Sequence, residues 1–129
     1  MSNSKLLSAA LIAFGATFCL IYPLSIMWPS GWAWHQGTPA SSDYFMMIVG
    51  VYFTLGVFLI RAAKDPAGNA SLIWFTIVSS VVHAAIMAWE SMRSAMQGGH
   101  MMGDVPALLI AAAVLAFLMS RNGDRAAAL

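Results

Sequence analysis

The chain has 129 residues, 60% of them hydrophobic and 9% charged, with a formal net charge of +1. Such a composition cannot clothe a core in a soluble surface, and once several spans of about 20 residues are subtracted no room is left for a soluble catalytic domain. Its six Lys and Arg residues are scattered along the chain, which excludes the basic cluster that nucleic acid binding requires.

Four apolar runs follow one another, at about 6–28, 44–61, 71–92 and 105–120. The first follows Lys5 and is longer than the roughly 7–15 apolar residues of a secretory signal, so it reads as a span. Cys19 within it has no second cysteine to pair with, and the bulky Phe18 before it does not suit a lipoprotein cleavage site. It reads as a buried small hydrophobe. Pro29, Ser30 and Gly31 end the first run and open an outer segment in which His35, flanked by Trp34 and Gln36, reads as an exposed interface residue. Asp65, Pro66 and Gly68 make a short turn after the second run, which predicts that spans two and three pack as an antiparallel hairpin. Asp104 can cap the fourth run, with Pro106 tolerated in its first turn. The reading is all-α: one polytopic domain over 1–129, built as a bundle of four transmembrane helices.

Lys5, Arg61, Lys64, Arg121 and Arg125 lie on one side of these spans and Arg93 on the other, which places both termini in the cytoplasm. Eight of the nine internal methionines (Met27, Met46, Met47, Met87, Met92, Met96, Met101 and Met102) then fall in the outer half, with all three histidines. Spans in lipid gain no hydrophobic drive from touching, so small residues must permit close approach. Ala9, Ala13 and Thr17 on span one, Gly50 and Thr54 on span two, and Ala107, Ala111, Ala112, Ala113 and Ala116 on span four are the candidates.

Thr76, Ser79 or Ser80, His83, Met87 and Glu90 recur at helical spacing on span three and form one polar stripe. An ionisable group facing acyl chains costs about 2.5–3.5 kcal/mol, so this stripe is expected to turn inward. His83 then reads in two ways. It is either an interior histidine bonded to a Ser, Thr or Tyr such as Tyr52, with Glu90 paired to Arg93, or a cofactor ligand or proton acceptor together with Glu90.

Met92, Met96 and His100 are spaced at i, i+4 and i+8, followed at once by Met101 and Met102. Soft thioethers suit Cu(I) and imidazole suits either copper state, while Asp104 at the same level offers a harder oxygen. Met92, Met96, His100 and Asp104 are therefore candidate metal ligands, with copper or haem as the cofactors the residue types allow. The alternative is interfacial packing with the tryptophans, and Gln97, Gly98 and Gly99 break the helix before His100 can align with Met96. The spans hold no paired carboxylates, and the chain has no Gly-rich phosphate loop, no Ser-His-Asp arrangement and no Cys-x-x-Cys-His attachment. The chain is not expected to be an enzyme.

From Tyr44 to about Leu118 the pattern Val51-Tyr52-x4-Val57-Phe58-Leu59, Ser71-Leu72-Ile73-x6-Ser80, His83-Ala84-x2-Met87 and His100-x3-Asp104-Val105-Pro106-Ala107-Leu108-Leu109 resembles a family of small bacterial four-helix membrane proteins of unknown function. The resemblance implies the fold, a bacterial inner membrane, and His83, His100 and Asp104 as the polar positions to watch. It implies no reaction. Three functions fit these features. The first is a non-enzymatic accessory or stabilising subunit docked on a larger membrane complex. The second is a copper- or haem-binding protein with its site at the periplasmic end. The third is a proton or solute carrier, working as a homo-oligomer with His83 and Glu90 as its titrating path.

Overall fold

Pro23 sets the shape of the end that holds the histidines before any packing is considered, because it has no N–H to offer the Cys19 carbonyl and its ring crowds that turn. In a computed structural model, which describes residues 3–33 and 37–127, the first apolar run accordingly divides into α1 (Asn3–Cys19) and α2 (Ile21–Met27). The two meet at 62°. The single span expected over 6–28 is thus bent at Leu20, whose N–H is shared between the Ala16 and Thr17 carbonyls at 3.1 and 3.0 Å.

Beyond a 3₁₀ turn at Pro29–Trp32 and another at Pro39–Ser41 comes α3 (Asp43–Ala62). Ser42 caps it by accepting from the Phe45 N–H at 3.2 Å, and Asp43 and Arg61 complement the helix dipole at its two ends. The turn that follows is closed by the Asp65 carboxylate, which accepts from the Gly68 N–H at 3.0 Å. Then come α4 (Ala70–Arg93), a 3₁₀ turn over Ala95–Met101, and α5 (Asp104–Ala127). Three helices are long and apolar enough to cross a membrane, and the bent α1–α2 pair makes a fourth if it counts as one span. The chain is an all-α, multi-pass membrane protein that sits in the lipid bilayer.

Packing departs from the expected hairpin. α1 packs along α3 and α5, and α4 packs along α5, whereas α3 and α4 do not pack along each other despite their short connection. The core includes Leu7, Leu11, Leu59, Ile73 and Leu115, all at most 2% exposed, and runs on to Phe18, Ile21, Ala84 and Leu108. Thr76 and Ser80 of the α4 stripe are buried there as expected, but Thr76 Oγ1 donates to the Leu72 carbonyl of its own helix at 2.9 Å. It therefore bridges nothing.

The close approach in this fold is made by Gly15 on α1 and Gly56 on α3. A Cβ on Gly15 would stand 2.7 Å from the Gly56 carbonyl oxygen, and one on Gly56 would collide with the Gly15 carbonyl. Cys19 belongs to the same crossing, half-buried with its thiol 3.6 Å from the Phe53 carbonyl. The residues expected to play this part on spans one and two do not: Ala9, Ala13, Thr17, Gly50 and Thr54 are all exposed. On α5 the expectation holds for Ala111 and Ala112, which are buried, and fails for Ala107 and Ala113. Lipid contact tolerates small residues as readily as helix contact does, so spacing alone could not choose between faces.

Gly56→Ala is expected to destabilise the detergent-solubilised protein by roughly 1–3 kcal/mol through overpacking, despite alanine's better helix propensity. Gly50→Ala, where an added Cβ meets nothing within 4 Å, is expected to be neutral or stabilising. Thermal unfolding followed by circular dichroism compares the two.

Candidate functional site

The bend at Leu20, with α3 and α4 not packed along each other, leaves room at the end where the histidines lie. A cavity of about 590 Å³ occupies it, lined from both arms of the bend by Phe14, Phe18 and Leu24, and by Ile48 and Tyr52 on α3, His83 on α4 and Asp104 and Ala107 on α5. Trp28, Trp32 and Gly103 line it as well, so the connecting segments form part of its wall.

Those segments close on each other backbone to backbone. The Pro29–Trp32 turn packs against the Ala95–Met101 turn. A Cβ on Gly99 or Gly103 would collide with the carbonyl of Ser30 or Gly31 respectively, which is why glycine is needed at both places. Ser91 Oγ stands 2.8 Å from the Gln97 carbonyl and secures the second turn to the end of α4.

The Tyr52 hydroxyl lies 2.6 Å from His83 Nδ1, a bond between α3 and α4 in which Tyr52 is the partner that the sequence suggested. Phe18 on α1 meets the Tyr52 ring edge-on, with centroids 5.1 Å apart and planes at 80°. The Tyr52 and His83 rings are 5.7 Å apart. Phe18, Tyr52 and His83 therefore form a chain of rings across three helices, in the favourable edge-to-face geometry at its first contact.

The second polar group is built from the 3₁₀ turn. His100 Nδ1 donates to the Asp104 carboxylate, 2.9 and 2.8 Å from its two oxygens, and His100 Nε2 lies 3.1 Å from Gln97 Oε1. The His100 and Asp104 side chains are only 12% and 7% exposed. A turn of three residues per cycle eclipses positions i and i+3, so it pairs His100 with Gln97 and turns it away from Met96. Asp104 also lies within electrostatic reach of Tyr52 and His83, linking the two polar groups.

Of the six residues singled out from the sequence, His83 and Asp104 share the cavity wall, while Glu90, Met92, Met96 and His100 do not line it. Glu90 pairs with Arg93 at 3.8 Å, as its spacing suggested, in an exposed contact of the kind worth about 0–1 kcal/mol. Met92 and Met102 are 72% and 78% exposed. Among the described residues no three His, Cys, Asp or Glu side chains converge into a metal cluster. Trp34, His35 and Gln36 lie outside the described residues. Phe14, Phe18 and Trp32 were not recognised in the sequence as cavity residues; Pro23, which creates the bend they line, was the available signal.

Fold and site together define a multi-pass helical membrane protein with an apolar cavity beneath its connecting turns, bordered by a Tyr–His bond and a buried His–Asp pair. The chain belongs to the family of unknown function DUF6632, which matches residues 1–128 and so extends well beyond the stretch that carried the resemblance. No curated protein and no solved structure matches it.

Asp104→Leu is expected to cost roughly 1.5–3 kcal/mol, because His100 Nδ1 would be left buried without its charged acceptor. Tyr52→Phe removes one hydrogen bond between spans and is expected to cost only about 0.6 kcal/mol, near the average for such bonds. The order of the two thermal midpoints in the same detergent checks the assignment.

Proposed function

We propose that this chain is a non-enzymatic protein of the bacterial cytoplasmic membrane, with both termini in the cytoplasm, that holds an apolar small molecule beneath its outer loops. The cavity carries this reading: its volume of about 590 Å³ falls within the roughly 300–1,000 Å³ of small-molecule sites, and its wall is apolar with a few polar groups. Those groups are largely matched to one another, which suits retention of a ligand. The orientation rests on Lys5, Arg61, Lys64, Arg121 and Arg125 set against Arg93.

A second reading, an accessory subunit docked on a larger membrane complex, is favoured by α3, whose Tyr44, Val51, Phe53 and Phe58 stand exposed along its length. Lipid or a neighbouring helix can cover that face, so the reading is compatible with ligand binding. A copper site at Met92, Met96, His100 and Asp104 gains less support, since His100 would have to leave Asp104 and Gln97 to ligate a metal. A titrating path through His83 and Glu90 gains little, because Glu90 stands outside the cavity wall and faces Arg93.

The test is organic extraction and elemental analysis of gently solubilised protein, with co-purifying polypeptides identified from the same sample. A stoichiometric apolar molecule is expected, and Ala107→Trp, which places an indole at the cavity wall, is expected to lose it. An empty protein arriving with a larger complex would transfer the conclusion to the accessory reading. A fluorescent protein that matures only in the cytoplasm, fused after Leu129, is expected to glow; a dark but intact fusion would reverse the orientation.

A further inference from the structure

The cavity has a chemical preference of its own, set by which of its polar atoms are already engaged. Thr17 Oγ1 donates to the Ala13 carbonyl at 2.9 Å. Both Asp104 oxygens lie within 2.9 Å of His100 Nδ1. Tyr52 and His83 Nδ1 satisfy each other at 2.6 Å. His83 Nε2 has no hydrogen-bond partner among the described residues, yet no buried side-chain nitrogen or oxygen among them lacks one, so this ring nitrogen is accessible, and His83 is one of the residues that line the cavity.

Charge complementarity narrows the occupant further. Among the described residues no Lys or Arg lines the cavity, and the one carboxylate on its wall is already held by His100. An anionic headgroup would meet the Asp104 carboxylate with no Lys or Arg on the described wall to receive it, and a cation would have to displace His100 from it. The occupant is therefore uncharged. Phe14, Phe18, Trp28, Trp32 and Tyr52 present rings to the space, and aromatic faces and edges gain most from another flat ring.

Resting on the reading of this cavity as a ligand site, we propose that it selects an uncharged, lipid-soluble molecule whose flat ring bears a hydrogen-bonding oxygen, such as a phenol, ring ketone or quinone, with that oxygen seated on His83 Nε2. The Tyr52 bond lets one histidine serve both kinds of oxygen. When the tyrosine hydroxyl donates to Nδ1, Nε2 carries the proton and donates to a carbonyl; when Nδ1 donates to the tyrosine oxygen, the Nε2 lone pair accepts from a phenol.

The probes are 1-naphthol, naphthalene and 1-decanol, measured by equilibrium dialysis against phosphatidylcholine nanodiscs with and without the full chain. Wild-type protein is expected to retain one 1-naphthol above the empty-disc background, about tenfold more tightly than naphthalene, the discrimination expected of one ordinary hydrogen bond. His83→Phe is expected to bind both aromatic probes equally. Equal retention of 1-naphthol and naphthalene by wild-type protein would overturn the oxygen preference while leaving the cavity as a ligand site. Retention of none of the three would remove the cavity reading itself, and 1-decanol bound as tightly as 1-naphthol would overturn the ring. Should His83→Phe not fold, ¹⁵N-histidine spectra of wild-type protein decide the point. Addition of 1-naphthol, and not of naphthalene, is expected to shift the His83 Nε2 resonance, and an unmoved resonance would overturn its role.

Discussion

One absent donor organises the end of this protein that holds its cavity. Pro23 cannot give the Cys19 carbonyl its helical hydrogen bond, and in a medium without water a backbone that loses a bond must be redirected where neighbouring structure can accommodate it. The redirection falls at Leu20, just past the level where α1 is held to α3 through Gly15, Gly56 and Cys19. Before the bend the helices meet at backbone distance; after it α2 keeps only a slight contact with α3. The tight crossing and the cavity are thus two sides of one local event.

Polar groups divide along the same line. In the packed half Thr76 and Ser79 return their hydroxyls to carbonyls of α4, so they cost little in lipid and carry no message between helices. In the open half the polar contacts are less local: Tyr52 reaches from α3 to His83 on α4, and Asp104 at the start of α5 holds a histidine from the turn before it. A polar side chain that reaches well beyond its own helix needs space to do so, and this half of the molecule provides it. Hence His83 and Asp104 mark the cavity, while the buried hydroxyls of α4 mark the core.

The sequence made the all-α class and the apolar runs plain, because a run of apolar residues long enough to cross lipid has few other uses. It also pointed to the burial of Thr76 and Ser80 on the stripe of α4, and one of its two readings of His83 included the Tyr52–His83 and Glu90–Arg93 pairs. Three things were not legible. Small-residue spacing could not distinguish Gly56 from Gly50, since lipid-facing and helix-facing glycines look alike in a row of letters. The short turn after Arg61 suggested that α3 and α4 lie along each other, but connection length limits only where a helix begins and leaves its angle to tertiary packing. The spacing of Met92, Met96 and His100 assumed α-helical pitch, whereas the chain leaves α4 at Arg93 and continues as a 3₁₀ turn.

The bend at Leu20 also settles how the molecule fits the thickness of its surroundings. The 17 residues of α1 rise roughly 25 Å, and the seven residues of α2, inclined at 62°, add only roughly 5 Å along the same axis. That combined reach matches both the hydrocarbon layer of about 30 Å and the length of the 20-residue α3. A straight helix over the same residues would overshoot and would have to tilt or thicken the bilayer around it. By folding its surplus length across its own axis, the first run reaches about as far along it as α3 does, so a feature that began as a missing hydrogen bond ends as a match of lengths between neighbouring helices.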